Sequence, residues 1–157
     1  MRLWHHQLLD YLPRTQLLAQ WRELNSIYAK KDRHVLINYI YDYPLSDLYV
    51  YSHMVTSQMQ KRGFQIRSFA KMQAYFADSI DLENASELIL NHQPFVLHHD
   101  WVYLNICCFN LYEKYLRGQK DYSAECFERL HAFWTLQSQH NIGVDAQFLE
   151  SIKKSIL

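Results

Sequence analysis

Apolar residues in the first third of the chain recur at spacings of three and four, the period of an amphipathic helix. They follow Pro13, and the basic residues between them fall on the flanks of the same predicted helix. The apolar face of this helix consists of Leu17, Leu18, Trp21, Leu24, Ile27 and Tyr28.

A second helix is predicted after Pro44, with Ser46 as its candidate N-cap. Lys61 and Arg62 fall in its last turn and Gly63 follows, which is typical of a helix C-terminus. Its inward positions are Leu48, Tyr51, Val55 and Met59.

Four further helices are predicted in the second half of the chain. No repeat or linker interrupts the pattern, so we expect a single compact all-α domain of about five to six helices over residues 1–157. The predicted helices run near Leu82–Asn91, from about Pro94 to Arg117 with Gly118 closing the helix, from Ser123 to about Gln139, and from Asp145 onward.

The composition narrows the fold class further. Three Gly and three Pro in 157 residues leave too few turn residues for a small sandwich or barrel. A hydrophobic content of 49% with 15% aromatic residues excludes a disordered chain. A mostly helical globular protein is the reading that satisfies both observations.

The cysteines and the apolar stretches indicate in which cellular compartment the protein is expected. Cys107, Cys108 and Cys126 contain no C-x-x-C spacing, so we expect reduced, buried thiols and a cytoplasmic protein. The first residues lack the apolar core of a signal peptide. Polar residues interrupt the stretch from Phe95 to Tyr115, which argues against a membrane span.

The charge is balanced overall and divided unevenly along the chain. Sixteen Lys and Arg residues balance sixteen Asp and Glu residues. Residues 1–67 carry nine basic and five acidic residues, whereas residues 68–157 carry seven and eleven. The basic half could contact a few phosphates. A dipolar surface with no ligand is the alternative that charge alone leaves open.

Two segments in this basic half are similar to a known family. They are the run Leu12-Pro-Arg-Thr-Gln-Leu-Leu-Ala-Gln-Trp-Arg-Glu-Leu24 and the run Lys61-Arg-Gly-Phe-Gln-Ile66. With Lys30, Lys31 and His34-Val35 between them, they resemble the pyrimidine-dimer DNA glycosylase family, or phage T4 endonuclease V family, over roughly residues 1–66. The opening Met-Arg-Leu-Trp-His resembles a bacterial branch of it.

The resemblance implies a small helical enzyme that needs no metal or cofactor. In this family the N-terminal α-amine attacks the sugar C1′ of a damaged nucleotide, a Schiff base forms, and β-elimination nicks the strand. A glutamate on the first long helix is indispensable. By position, Glu23 is its counterpart, Met1 supplies the amine, and Arg22 matches a phosphate-binding arginine.

This chemistry is physically reasonable. An α-amine has an ordinary pKa of about 7.7–8.0, so a useful fraction is neutral and nucleophilic near pH 7. A neighbouring carboxylate stabilises the developing sugar cation or transfers protons. Double-stranded DNA carrying a pyrimidine dimer or an abasic site is the implied partner, because a weakened pair lowers the cost of exposing the nucleotide.

Several positions depart from the family pattern. Active members carry a small residue after Met, whereas Arg2 ordinarily leaves Met1 in place and moves the amine outward by up to about 3.6 Å. Family DNA contacts align with Leu3, Gln16 and Ser26 here. A non-catalytic DNA-binding or protein-interaction module on the same scaffold is therefore the alternative reading, with the second half as a possible homodimer surface.

The residues expected to contact DNA phosphates come from the basic half of the chain. They are Arg2, Arg14, Arg22, Lys30, Lys31, Arg33, His34, Lys61 and Arg62.

The nine histidines and the tyrosine-rich segment allow other interpretations. No helical His-x-x-x-His pair is present, so exposed or structurally paired histidines are favoured over a metal site, for which His5, His34 and His53 are the candidates. The tyrosines from Tyr39 to Tyr51 could stack on bases, although a tyrosine-rich core edge is favoured.

Overall fold

A computed structural model describes residues 2–31, 33–80 and 85–156, with side chains described up to Asn141. The described residues form α-helices and short 3₁₀ helices and contain no strand, which confirms the all-α prediction. The 3₁₀ helices are His6–Tyr11 and Asn38–Asp42. The α-helices are α1 (Arg14–Lys30), α2 (Leu45–Lys61), α3 (Ala70–Phe76), α4 (Ala85–Asn91), α5 (Trp101–Leu116) and α6 (Ala124–Ile156).

The helices α1 and α2 form where the apolar pattern predicted them. Both begin directly after a proline with an extended ψ, Pro13 and Pro44. Ser46 lies inside α2 and is not its N-cap, because the helix begins at Leu45 with Pro44 as the N-cap, two residues earlier than predicted. At the other end Gly63 adopts φ 72°, the left-handed conformation expected of a glycine after a helix.

The second half departs from its predicted boundaries. The helix predicted from Pro94 begins only at Trp101, since Phe95 has φ 55° and the Asp100 side chain caps the helix by accepting from the Tyr103 amide at 2.8 Å. The two helices predicted from Ser123 and Asp145 are one continuous α6. An interior glycine such as Gly143 costs a helix only about 1 kcal/mol, so it does not force a break.

Two shorter elements complete the comparison. The pattern did not predict α3, which has only seven residues. The helix predicted near Leu82–Asn91 is present from Ala85 onward, and residues 82–84 of the predicted helix lie outside the described part of the chain. No helix in the described part of the chain has the length and apolar content needed to cross a bilayer.

The N-terminal segment lies between the two halves of the molecule. α1 packs against α2 and α3, and α5 packs against α6. The 3₁₀ helix His6–Tyr11 contacts α2, α5 and α6. Leu3, Leu8 and Leu12 are fully buried there. The first residues of the chain are thus part of the core.

Arg62 secures the end of this 3₁₀ helix. Its guanidinium donates to the carbonyls of Leu9 at 2.9 Å, Asp10 at 2.7 Å and Leu12. These are terminal carbonyls that the helix leaves without an internal partner. Arg62 therefore fixes the N-terminal segment against the end of α2.

Candidate active site and nucleic-acid interface

Of the two predicted catalytic residues, Glu23 lies within the described part of the chain. It lies half-buried on α1, and its Oε2 accepts from the Arg2 amide at 3.2 Å and from Gln20 Nε2 at 3.3 Å. Burial raises the pKa of Glu23 above its ordinary value, and the Arg2 amide and nearby positive charge oppose this. A carboxyl group with a raised pKa can exchange protons closer to neutral pH.

Side chains from three helices hold the backbone beside Glu23. Gln20 of α1 accepts from the Trp4 amide at 2.9 Å. Tyr51 of α2 donates to the Trp4 carbonyl at 2.7 Å, and Tyr103 of α5 donates to the Leu3 carbonyl at 2.5 Å. Because Tyr51 is fully buried, this arrangement fixes the path of the chain as it approaches the carboxylate.

The Arg2 side chain lies inside this assembly. Burial raises the pKa of both Glu23 and Cys107, and the positive charge of Arg2 opposes both shifts. The Arg2 guanidinium lies 5.9 Å from the centre of the Trp4 ring. The Nη1 atom is buried and has no hydrogen-bond partner within the described residues. A buried donor without a partner costs free energy.

Met1, the predicted nucleophile, lies outside the described residues. It is covalently bonded to Arg2, the residue whose amide donates to Glu23. The structure therefore describes the carboxylate side of the predicted catalytic pair and the residue next to the amine.

Most of the predicted phosphate contacts are exposed. Two of them rest on aromatic rings: the Arg14 guanidinium lies 3.8 Å from the Phe64 ring centre and the Arg33 guanidinium 4.9 Å from that of Tyr41. Arg62 is engaged with backbone carbonyls, as described above. The other exposed members of the set are Arg22, Lys30, Lys31, His34 and Lys61.

The positions that depart from the family pattern have structural roles in this chain. Leu3 is fully buried in the core. Gln16 donates to the Gln119 side chain at 3.1 Å. Ser26 is half-buried on α1. Leu3 and Gln16 are thus engaged in contacts within the protein.

Sequence reasoning did not find a buried histidine cluster formed by His5, His6 and His99. Their rings stack with centroid distances of 4.5 to 5.5 Å. His5 Nε2 bonds the His99 carbonyl at 2.7 Å, the His6 amide donates to His99 Nδ1 at 3.2 Å, and Tyr39 bonds His99 Nε2 at 2.8 Å. Burial lowers the pKa of His5 and His6 to about 4 and that of His99 to about 2.

The metal candidates His5, His34 and His53 have separate surroundings. His5 belongs to the histidine cluster, His34 is exposed, and His53 packs on Tyr49 with a ring distance of 4.5 Å. Across the described residues no group of three His, Cys, Asp or Glu side chains has the geometry to hold a metal ion.

The tyrosine-rich segment is divided between the core and the surface. Tyr49 and Tyr51 are buried, whereas Tyr39, Tyr41 and Tyr43 are partly exposed at the edge of the core. This matches the favoured interpretation of a tyrosine-rich core edge. The partly exposed rings of Tyr41 and Tyr43 also line an open cleft, which is considered below.

A half-buried carboxyl group with a raised pKa lies beside the fixed N-terminal segment, and exposed cations lie on the same half of the chain. These features define a small all-α protein with a carboxylate site and a basic surface. Residues 1–72 match the model of the family described as pyrimidine dimer DNA glycosylase. The match confirms the resemblance drawn from the sequence, and it covers the N-terminal part of the chain. It supports a DNA-repair glycosylase in general terms. Comparison with curated proteins and with solved structures gives no significant match.

Proposed function

We propose that the protein is a DNA glycosylase with AP-lyase activity on pyrimidine-dimer or abasic-site DNA, with the Met1 amine as nucleophile and Glu23 as its acidic partner. The observation that carries this proposal is the hydrogen bond from the Arg2 amide to Glu23. An α-amine on the preceding residue is tethered within about 3.8 Å of that amide, the span of one residue. Covalent geometry thus keeps the amine near the carboxylate.

The reaction follows from these two groups. The neutral amine attacks C1′, the C1′–N bond to the damaged base breaks, and the base leaves with the bonding electrons and takes up a proton. Loss of a proton from nitrogen and ring opening give the Schiff base. Removal of a C2′ proton expels the 3′ phosphate, and water hydrolyses the Schiff base to regenerate the amine. Glu23 supplies or accepts the protons and stabilises the cationic species.

The strand is held by cations around this site. Arg2 is the innermost of them, and its positive charge acts on Glu23. Arg22 is the neighbour of Glu23 on α1 and is exposed. The outer contacts proposed are Arg14, Lys30, Lys31, Arg33, His34 and Lys61. Arg62 supports the same surface by fixing the N-terminal segment.

A second candidate function is DNA binding without turnover, or a protein-interaction role on the same scaffold. Two observations favour it. Leu3 is fully buried and Gln16 bonds Gln119, so neither position offers the DNA contact that it makes in the family. Binding would then depend on the exposed cations alone and would be weak and salt-sensitive.

Borohydride trapping separates the two functions. The full-length protein is incubated with duplexes carrying an abasic site or a cyclobutane dimer, and borohydride reduces any Schiff base to a stable covalent adduct. We expect an adduct whose mass spectrum places the DNA on the α-amine of Met1, and none after selective acetylation of that amine. DNA binding without any adduct supports the non-catalytic alternative instead, and an adduct on an internal lysine contradicts the proposed nucleophile.

Cellular location and self-association are also proposed. Cys107, Cys108 and Cys126 are free thiols, as expected in the reducing cytoplasm. Phe109 and Leu116 on α5 are 60% and 65% exposed, which supports a homodimer surface in the second half. Light scattering of the protein and of Phe109→Ser tests the dimer.

A further inference from the structure

An open cleft of about 750 Å³ lies at the C-terminal end of α1. Its walls come from the end of α1, the 3₁₀ helix Asn38–Asp42, the start of α2, and α3. The volume is within the usual range for small-molecule sites. Glu23 is not part of its lining, so the cleft is a second site.

Three cations line the cleft: Lys31, Arg33 and Lys71. No acidic side chain lines it in the described part of the chain. The Arg33 guanidinium is positioned by its contact with the face of the Tyr41 ring. This arrangement favours an anion such as phosphate, which arginine binds through two parallel hydrogen bonds and lysine binds as a point charge.

Four tyrosines also line the cleft: Tyr28, Tyr41, Tyr43 and Tyr75. The Tyr28 hydroxyl donates to Ser52 at 2.6 Å, and the Tyr43 hydroxyl bonds His98 at 2.9 Å. These hydrogen bonds, and the contact of the Tyr28 and Tyr75 rings at a centroid distance of 5.4 Å, hold the tyrosines in place along the cleft wall. Such rings suit a flat aromatic group.

We propose that this cleft binds a nucleoside monophosphate, with the phosphate on Lys31, Arg33 and Lys71 and the base against the tyrosines. The ligand is either a free mononucleotide or a nucleotide unit of a DNA strand. Only the second source depends on the function proposed above. Both sources present the same chemistry, a single phosphate joined through a sugar to an aromatic ring.

Lys71 and Lys31 offer suitable variants. Lys71 is exposed on α3, where alanine maintains the helix. Lys31 has φ 48°, a conformation that glycine adopts more readily than lysine, so Lys31→Gly removes the amine without disturbing the backbone. Lys120→Ala removes an exposed lysine outside the cleft and is the matched control.

The test measures binding of dTMP, thymidine and inorganic phosphate to the full-length protein by calorimetry. We expect dTMP to bind at least about tenfold more tightly than either fragment, because both halves of the cleft contribute. Lys71→Ala and Lys31→Gly should each weaken dTMP binding about tenfold, and Lys120→Ala should leave it unchanged. Equal affinity for dTMP and phosphate, or unchanged binding in both cleft variants, overturns the proposal.

A second arm identifies the source of the ligand. If Lys71→Ala weakens dTMP and an oligothymidine equally and the two compete, the cleft takes a nucleotide of a strand. Weakened dTMP binding with unchanged oligothymidine binding assigns a free mononucleotide. Glu23→Gln should bind dTMP as the parent protein does. Failure of the trapping experiment therefore leaves this proposal standing, and failure of dTMP binding leaves the glycosylase proposal standing.

Discussion

Two polar assemblies lie on the N-terminal segment, and they differ in how completely their groups are paired. In the histidine cluster each ring accepts a hydrogen bond, which fits a neutral imidazole. Around Glu23, a carboxyl group is half-buried and a buried Arg2 nitrogen lacks a partner within the described residues. Such pairing is typical of a structural element, whereas a half-buried carboxyl group with a raised pKa is typical of a functional site.

The hydrogen bonds of the cluster assign its tautomers. His99 Nδ1 accepts from the His6 amide, so its Nε2 carries the proton and donates to Tyr39. His6 Nδ1 lies 3.3 Å from the same His99 Nδ1, whose single lone pair the His6 amide already uses, and His6 Nε2 accepts from Gln93 at 3.1 Å. His5 donates through Nε2 to the His99 carbonyl and accepts at Nδ1 from the Gln7 amide at 3.3 Å. A further proton on any ring would break one of these bonds.

Acid should therefore unfold the protein, and this is the largest expected effect. The folded-state pKa values of His5 and His6 are about 4, against 6.5 in the unfolded chain. Because the unfolded state binds more protons, stability is complete above pH 6.5 and falls as the pH drops toward 4, by about 2 kcal/mol per histidine at pH 5. Denaturant unfolding from pH 7.5 to 4.5 measures this slope, and a flat profile contradicts the neutral cluster.

Glu23→Gln should abolish the chemistry while leaving the fold unchanged. The amide is isosteric and its oxygen still accepts from the Arg2 amide, but it cannot transfer a proton or balance a cation. We expect the rate of adduct formation to fall about 10²- to 10⁴-fold, with unfolding free energy within about 0.5 kcal/mol of the parent. Quench-flow trapping and urea titration give the two numbers, with exposed Glu128→Gln as control.

His99→Phe should lower the stability of the fold, in contrast to Glu23→Gln, which should lower the activity. The ring is replaced by one of similar shape that leaves the His6 amide and the Tyr39 hydroxyl without their partner. We expect a loss of about 2–4 kcal/mol in stability and a shallower dependence on acid, since one of the three histidines is gone. If the variant is as stable as the parent, the cluster is not the structural element described.

Arg22→Ala should produce the smallest effect. The side chain is exposed, so the fold is unaffected, and one phosphate contact is lost. DNA affinity should fall by about 1 kcal/mol, and the slope of log K against log salt should decrease by about one unit. Fluorescence anisotropy at several salt concentrations measures both, and exposed Arg117→Ala in the second half should leave both unchanged.

Local signals explain what the sequence predicted correctly. Pro13, Pro44 and Gly63 mark helix ends through their own backbone preferences, so α1 and α2 appear where expected. The start of α5 depends on the positive φ of Phe95, a conformation that no residue preference indicated. The break predicted between about Gln139 and Asp145 is wrong, since α6 is continuous through both positions.

The candidate site, like the fold, was predicted from the sequence only in part. Glu23 was selected through a family resemblance, and its contact with Arg2 crosses 21 positions of sequence. The histidine cluster joins residues 93 positions apart, a pairing that no spacing rule predicts. Pairings of this range depend on how whole helices pack, and only the folded structure contains that information.

The hydrogen bond from Tyr103 to the Leu3 carbonyl has a consequence for how this protein can change over evolutionary time. The family match ends at residue 72, yet the backbone that leads to Glu23 is anchored by a tyrosine and a histidine from beyond that point. The recognisable part is therefore not a transferable module. Recombination that exchanged the second half would have to preserve Tyr103 and His99 to keep the first residues in place.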